Sequence, residues 1–291
     1  MKIPRLFDWT NPNGPQWVVP ELTEADLDAL YEILVMFVGY DPRPSAQDRC
    51  VVLGSGFIVA VDHSLFVISA AHIFSWWTDQ ILPAAPHALR GVQGDIEDLM
   101  GRVRRVVENG YIRALVTPRD LGAGSICSIE GMSFNANPRD MDVAVIQLAA
   151  PMGKSPEDFR ILPIDADPFS FNKDPVLMAG FTGGGALSTE DGPFPHGLYE
   201  QKLTVRAGFV GEYVAKPDGF RSPMYRVNIP SVPGMSGGPL ILWRSAKYHV
   251  GTYSIGISLN SASDFVPLRP PVSLIAAGAI GAKRRWSFFI A

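Results

Sequence analysis

Short apolar segments, each closed by glycine or proline, run through most of this chain and limit what it can fold into. Glycine (28) and proline (25) occupy 53 of the 291 positions, and both residues interrupt helices and supply the backbone angles of tight turns. Many short strands between such turns are typical of β-sandwiches and β-barrels. The sequence therefore predicts an all-β fold, with strands in Cys50–Leu53, Gly56–Val61, Leu65–Ala70, Tyr111–Val116, Ile126–Ile129, Val143–Leu148, Val176–Phe181, Lys202–Val210, Met224–Ile229, Pro239–Trp243 and Val250–Ser258.

Helical patterns lie mainly towards the two ends of the chain. Thr23 can cap a helix whose apolar spacing continues to Phe37, and the proline-rich residues 41–44 would end it. Residues 96–107 are a weaker helix candidate. The apolar run Val272–Ala282 predicts a packed final helix, because it is shorter than the roughly 20 residues that a membrane-spanning helix needs.

Composition excludes several classes of protein. Hydrophobic residues make up 47% and charged residues 19% of the chain, which argues against intrinsic disorder. The net charge of −4 includes no concentrated basic excess, so no nucleic-acid partner is expected. The five histidines are scattered, so we expect no metal and no other cofactor. Residues 1–9 lack the apolar stretch of a secretory signal, and we expect a soluble cytoplasmic protein without a membrane partner.

The only two cysteines are Cys50 and Cys127. Two cysteines are too few for a dense disulfide framework or a cysteine-rich zinc site. A single Cys50–Cys127 bridge stays open at this point, although two reduced thiols are the favoured interpretation.

Three segments carry residue types that are used in acyl transfer. His72 ends the apolar stretch that begins at Ile68, and Asp142 directly precedes an apolar strand, where it could accept a hydrogen bond from an imidazole. Ser236 lies among three glycines that would let backbone N–H groups converge on one point. Each segment alone also has a structural interpretation: a packed histidine, a strand-capping aspartate and a glycine-rich turn. Asp140 competes with Asp142, but next to Arg139 we expect it to be solvated.

In this order, the motifs Ala-Ala-His, Asp-Val-Ala-Val and Gly-Met-Ser-Gly-Gly-Pro resemble those of chymotrypsin-fold (trypsin-like) serine proteases, closest to the bacterial HtrA-like branch without a PDZ domain. Segments Gly54–Val59, Val176–Phe181 and Val250–Gly256 resemble an early strand of the first barrel, an early strand of the second barrel and the substrate-binding strand. The 70 residues from His72 to Asp142 are many for this family and predict an insertion within 76–135.

The resemblance implies two six-stranded antiparallel β-barrels, to which the helical patterns add an N-terminal and a C-terminal helix. It divides the chain into an N-terminal helical extension (1–45), a first barrel with His and Asp (46–158), a second barrel with Ser, oxyanion hole and specificity pocket (159–265), and a C-terminal helix and tail (266–291). Ile73 stands where secreted trypsins have a cysteine, so their disulfide at this position is not expected. Met235 stands where zymogen-type members carry an aspartate that pairs with a newly cut N-terminus, so activation by that ion pair is not expected.

The same resemblance assigns roles to single residues. Ser236 would be the nucleophile, His72 the general base and Asp142 its orienting partner, with the N–H groups of Gly234 and Ser236 as the oxyanion hole. An uncharged specificity pocket and a strand that pairs with the substrate backbone would be formed by Pro230, Ser231, Val232, Pro233, Ser254, Ile255 and Gly256. Asp264 is the one nearby acidic residue that could reach this pocket.

These roles predict a serine endopeptidase that acts on polypeptides through an acyl-enzyme intermediate, in an oligomeric state that the sequence leaves open. A different interpretation is a catalytically silent pseudoprotease that binds partners through its cleft. Gly234–Gly238 also fits the G-x-S-x-G elbow of α/β-hydrolases. That fold requires a histidine after the serine, and only His249 follows Ser236, without βαβ patterning. A cysteine nucleophile is excluded because serine occupies the motif position.

Overall fold

A computed structural model describes the chain over residues 22–43, 50–61, 64–83, 99–117, 125–134, 142–149, 154–162, 175–183, 201–214, 224–227, 229, 233–242, 254–259 and 262–267. This part of the chain is mostly β, as predicted. In chain order its strands are β1 (Leu34–Tyr40), β2 (Cys50–Val61), β3 (Ser64–Ser69), β4 (Ile112–Val116), β5 (Ser125–Cys127), β6 (Ile129–Phe134), β7 (Ala144–Leu148), β8 (Pro175–Gly183), β9 (Lys202–Val214), β10 (Met224–Val227), β11 (Leu240–Leu242), β12 (Ser254–Leu259) and β13 (Ala262–Pro267).

The strands form two antiparallel sheets. The first sheet has seven strands in the order β5-β4-β1-β2-β3-β7-β6, and the second has six in the order β11-β8-β9-β10-β13-β12. The first sheet thus contains one more strand than the six that were predicted. Closure of each sheet into a barrel stays a prediction.

The additional strand is β1, which corrects the sequence prediction of a helix that continues to Phe37. Helix α1 (Glu24–Ile33) begins with a capping box between Thr23 and Asp26, but it ends at Ile33. All seven residues of β1 are buried, and both edges of the strand are paired, with β2 and with β4. A strand that is buried on both faces is apolar at every position, and over a short run this cannot be distinguished from a helix by spacing. Residues 34–40 therefore belong with the first sheet, which begins before residue 46.

Two further helices connect strands of the first sheet. Helix α2 (Ala71–Ile81) follows β3 directly, and α3 (Leu99–Glu108) precedes β4. Both lie between β3 and β4, where α3 falls within the predicted insertion. A short 3-10 helix spans Pro156–Asp158. The predicted C-terminal helix lies outside the described residues. No helix in the ranges given above is long and apolar enough to cross a membrane.

Aromatic packing fixes α2 against the first sheet. The rings of Phe74 in α2 and Phe37 in β1 meet edge to face, with centroids 5.0 Å apart. Nε1 of Trp77 donates a hydrogen bond to the carbonyl of Tyr111 at 3.2 Å. The Trp77 ring lies so close to Gly39 that a Cβ there would be 2.4 Å from Cε2 of the indole. Glycine at position 39 therefore makes room for the side chain that holds α2 in place.

The two sheets share a hydrophobic core. The main cluster of buried residues contains most of β1, β3 and β7 and the apolar residues of the middle of β2, and it also includes Leu177, Ala179 and Phe181 from β8 in the second sheet. Phe181 also contacts Tyr31 of α1, with ring centroids 5.9 Å apart. Strand β8 therefore packs on the first sheet, and the Phe181 N–H reaches Ser55 in the middle of β2. Ile241 of β11 belongs to the same cluster.

The structure settles the question of a disulfide. Cys50 begins β2 and Cys127 ends β5, and both residues are buried and outside any disulfide. Strands β4 and β1 lie between β5 and β2, so three strand spacings of about 4.8 Å separate the two residues. A disulfide requires Cα atoms within about 7 Å of each other. The Cys50–Cys127 bridge is therefore excluded.

The environment of Cys127 predicts an unreactive thiol. Burial raises the pKa of the Cys127 thiol to about 12, and only the thiolate form is a good nucleophile. We expect iodoacetamide at about pH 8 to leave Cys127 unmodified in the folded protein and to alkylate it in urea. Peptide mapping by mass spectrometry would distinguish this site from Cys50. Rapid alkylation of Cys127 in the folded protein would contradict the position of β5.

Candidate active site

Two residues that are distant in sequence meet at one end of the first sheet. Strands β3 and β7 are antiparallel neighbours, and their register pairs Ser69 with Ala144. His72 follows β3 by three residues, and Asp142 precedes β7 by two. The antiparallel pairing therefore brings both residues to the same end of the sheet.

The Asp142 carboxylate binds His72 twice. Its Oδ2 lies 2.6 Å from Nδ1 of the imidazole, and its Oδ1 accepts a hydrogen bond from the His72 backbone N–H at 2.8 Å. Asp142 is fully buried, with 0% of its surface exposed. A carboxylate only accepts hydrogen bonds, so Nδ1 carries the proton in this pair. The neutral ring then has its lone pair on Nε2, which is the form needed by a general base.

The second of these hydrogen bonds also caps a helix. The N-cap residue of α2 is Ala70, whose side chain cannot accept a hydrogen bond. The first backbone N–H groups of a helix have no partner within the helix, and they favour a negative charge. Asp142 therefore replaces the missing cap and holds the imidazole with the same side chain. The His72 side chain remains 36% exposed, so its other ring edge is accessible.

Ser236 lies in a tight turn whose conformation depends on glycine. Gly234 and Gly237 have φ angles of +92° and +85°, a region that residues with a Cβ rarely adopt. Space is also restricted: a Cβ on Gly234 would lie 2.3 Å from the Phe181 carbonyl oxygen, and one on Gly238 would lie 2.1 Å from that of Ala179. The turn therefore sits directly on β8, and Ser236 is partly exposed between buried neighbours.

The same turn also touches the first sheet. The backbone N–H of Ser55 in β2 donates a hydrogen bond to the Ser236 carbonyl at 2.7 Å. A Cβ on Gly237 would lie 2.2 Å from the Ser55 carbonyl oxygen and 2.8 Å from the Ala70 nitrogen. Ala70 is two residues before His72. The structure therefore brings the serine turn beside the start of α2, where the His72–Asp142 pair is located.

Several other predicted site residues are only partly described. Pro233 is exposed at the start of the turn, whereas Asp140, Pro230, Ser231 and Val232 lie outside the described residues. Ser254, Ile255 and Gly256 lie in β12, which occupies the outer position of the second sheet beside β13. The backbone of β12 is therefore available for pairing on its other edge, within the part of the chain that the structure describes. Asp264 lies in β13, opposite Arg226 in the register with β10.

Two buried serines contribute to the site and were not identified from the sequence. The Ser55 hydroxyl donates a hydrogen bond to the Gly234 carbonyl at 2.8 Å, and the Ser69 hydroxyl donates to the Ser55 carbonyl at 2.6 Å. Both residues are completely buried. A signal for Ser55 is present in the sequence: it is a lone hydroxyl between two glycines inside an otherwise apolar strand.

Comparison with known proteins relates the chain to peptidases. A family model described as a trypsin-like peptidase domain matches residues 54–247, and this segment contains His72, Asp142 and Ser236. No curated protein sequence matches the chain.

Solved structures that are similar to the chain include two forms of one protease. The active form of the Rv3671c protease from M. tuberculosis is 18% identical, with 89% of this chain and 85% of that one covered and a TM-score of 0.49. The inactive form of the Rv3671c protease is 16% identical, with 88% and 92% covered and a TM-score of 0.46. The family model spans about two thirds of the 291 residues. The chain therefore belongs to the trypsin-like peptidase family, which confirms the resemblance carried by its three motifs.

Proposed function

We propose that this protein is a serine endopeptidase in which Ser236, His72 and Asp142 form the catalytic triad. The observation that carries the proposal is the hydrogen bond of 2.6 Å between Nδ1 of His72 and a fully buried Asp142 carboxylate. A buried carboxylate needs good hydrogen-bond donors to offset its lost hydration. Here both donors belong to one histidine, which leaves that imidazole in a single orientation and a single tautomer.

The proposed reaction uses Nε2 of His72, the ring nitrogen that does not face Asp142. Nε2 of His72 takes the Ser236 hydroxyl proton while Oγ attacks the carbonyl carbon of the scissile peptide bond. The imidazolium that forms is stabilised by Asp142 and then gives its proton to the leaving amine, so the C–N bond breaks and an acyl-enzyme remains. Water, deprotonated by the same nitrogen, attacks the ester and restores Ser236.

The turn geometry supports the Ser236 N–H as one donor of the proposed oxyanion hole, in which Gly234 would supply the other. The Met235 carbonyl accepts a hydrogen bond from the N–H of Gly238 at 2.9 Å. In a trans peptide the C=O and N–H bonds point in opposite directions. The N–H of Ser236 shares its peptide plane with that carbonyl and is therefore directed out of the turn, as a donor to a developing oxyanion must be.

We further propose where the substrate binds and how the chain is divided. Polypeptides are the substrates that membership of the family implies. The open edge of β12, with Ser254, Ile255 and Gly256, would pair with the substrate backbone as an added strand. The first barrel, at residues 46–158, would contribute His72 and Asp142, and the second barrel, at residues 159–265, would contribute Ser236. Strand β1 would extend the first barrel from residue 46 towards the N-terminus.

Replacing the nucleophile tests the proposal most simply. Ser236→Ala should lower kcat for peptide hydrolysis by about 10⁴–10⁶, because triad members act as a unit, and it should abolish labelling by a fluorophosphonate probe. The thermal unfolding midpoint should stay close to that of the wild type, since one hydroxyl leaves almost no cavity. Ser133→Ala in β6 is the matched control and should label normally. Wild-type protein that fails to label would instead favour the silent pseudoprotease.

The two neighbouring aspartates provide a second test. Asp142→Asn should lower kcat by about 10⁴, because an amide can present its NH2 group to the imidazole and favour the wrong tautomer. Asp140→Asn changes the same charge two residues away and should leave kcat within about twofold of the wild type. Steady-state kinetics with one peptide substrate would compare the two variants. A severe loss in Asp140→Asn with a mild one in Asp142→Asn would reverse the assignment.

The proposed pocket predicts which residue precedes the cut. Pro230, Ser231, Val232 and Pro233 carry no charge, and a lysine or arginine in a desolvated neutral pocket would lose its hydration without compensation. We therefore expect cleavage after small or medium uncharged residues such as alanine, valine or leucine, measured with a peptide library. A profile dominated by arginine or lysine would contradict this expectation. If this preference for arginine or lysine then disappeared in Asp264→Asn, Asp264 would be identified as the acidic residue of the pocket.

A further inference from the structure

The buried hydroxyl of Ser55 joins three parts of the molecule. Ser55 lies in β2 and none of its surface is exposed. The backbone N–H of Phe181 in β8 donates to Ser55 Oγ at 2.8 Å, and Oγ donates to the Gly234 carbonyl at 2.8 Å. Because an N–H can only donate, the Phe181 contact leaves the hydroxyl proton of Ser55 for Gly234. The direction of both hydrogen bonds is therefore fixed.

Ser55 also holds the serine turn through its backbone. Its N–H donates to the Ser236 carbonyl at 2.7 Å, so one residue binds the carbonyls on both sides of Met235. The carbonyl of Met235 itself accepts the N–H of Gly238. Three consecutive carbonyls, those of Gly234, Met235 and Ser236, are thus engaged within the protein. Each carbonyl shares its peptide plane with the next N–H. The Met235 contact therefore orients the Ser236 N–H, and the two Ser55 contacts hold the peptide planes on either side of it.

The space around Ser55 is too small for the serine turn to shift without breaking the hydrogen bonds between Ser55 and the turn. A Cβ on Gly54 would lie 2.8 Å from the Ser236 carbonyl oxygen, and one on Gly180 would lie 2.9 Å from Ser55 Oγ. A Cβ on Gly237 would be only 2.2 Å from the Ser55 carbonyl oxygen. The turn, β2 and β8 therefore approach one another at backbone distance, and glycine occurs at each point of closest approach.

We propose that Ser55 is a positioning residue for catalysis. Its hydroxyl ties β8 to the Gly234 carbonyl and thereby holds the turn in the conformation that presents the Ser236 N–H to the oxyanion. The proposal rests on the function proposed above. Ser55 is buried behind the turn, so its effect on the reaction passes through the turn. A mispositioned oxyanion donor weakens binding of the transition state and leaves binding of the substrate almost unchanged.

The test compares Ser55→Ala with wild type by two independent readouts. Hydrogen–deuterium exchange of the peptide that contains residues 233–239 should become about tenfold faster in Ser55→Ala, because the turn loses an anchor. In steady-state hydrolysis, kcat should fall by about 10- to 100-fold, less than for removal of an oxyanion donor, while KM changes by less than about twofold. Exchange and kinetics are both measured at a temperature well below each variant's thermal unfolding midpoint.

An inhibitor pair separates transition-state binding from ground-state binding. Ser236 Oγ adds to the carbonyl carbon of a peptidyl trifluoromethyl ketone while the serine proton moves to His72. The product carries a tetrahedral oxyanion. Its affinity should fall in Ser55→Ala by the same factor as kcat. The corresponding peptidyl alcohol, which has no electrophilic carbon and no anionic oxygen, should bind about equally to both proteins.

Thr204→Val is the matched control. The hydroxyls of Thr204 and Thr182 lie 2.6 Å apart between β9 and β8, so this variant also removes a hydroxyl hydrogen bond from the second sheet, but not one to the turn. It should leave kcat and exchange at 233–239 unchanged. Ser55→Cys keeps a weak donor and acceptor in the same place, should give intermediate values, and decides the test if Ser55→Ala does not fold.

The outcomes separate this inference from the proposed function. Unchanged exchange at 233–239 in the Ser55 variants would overturn the positioning role, whether or not the protein is active. Faster exchange with an undiminished kcat would overturn its catalytic consequence. Faster exchange in a protein whose wild type neither hydrolyses peptides nor labels at Ser236 would support Ser55 as the anchor of the turn, and would reject the endopeptidase function instead.

Discussion

The whole candidate site depends on one buried carboxylate. Asp142 is removed from water and is stabilised there by two hydrogen bonds, both donated by His72. An unpaired charge in this position would be strongly unfavourable. The same contacts start helix α2, select the tautomer of the imidazole and fix its orientation. Changing the pairing of β3 with β7 would separate the two residues, so the geometry of the site follows directly from the register of the first sheet.

The second half of the site is held by backbone contacts rather than by charge. Glycines at 234, 237 and 238 let the serine turn approach β2 and β8 more closely than any residue with a Cβ would allow. Ser55 then engages the turn with both its hydroxyl and its N–H. The turn therefore has little freedom to move relative to the first sheet, which is the kind of preorganisation that electrostatic stabilisation of an oxyanion requires.

The sequence was sufficient for the parts of the fold whose cause is local. The His72, Asp142 and Ser236 motifs each sit at the end of a strand or in a glycine turn, and these local patterns are legible without a structure. Strand β1 was misread as a helix because burial on both faces removes the alternation of a strand. Helix α2 was missed because its cap comes from Asp142, 70 residues further on. The hydroxyl of Ser55 makes only tertiary contacts. The spacing of apolar residues cannot predict these, and the lone hydroxyl between two glycines is their one trace in the sequence.

We propose that His72 and Ser236 work as one unit across the two sheets. A double-mutant cycle tests it directly: kcat for one peptide substrate is measured in wild type, His72→Ala, Ser236→Ala and the double variant. Residues that serve a single proton-transfer and attack step are strongly non-additive. We predict that the double variant is no slower than Ser236→Ala alone. If the double variant is slower by the product of the two single effects, His72 and Ser236 act independently and do not form one catalytic unit.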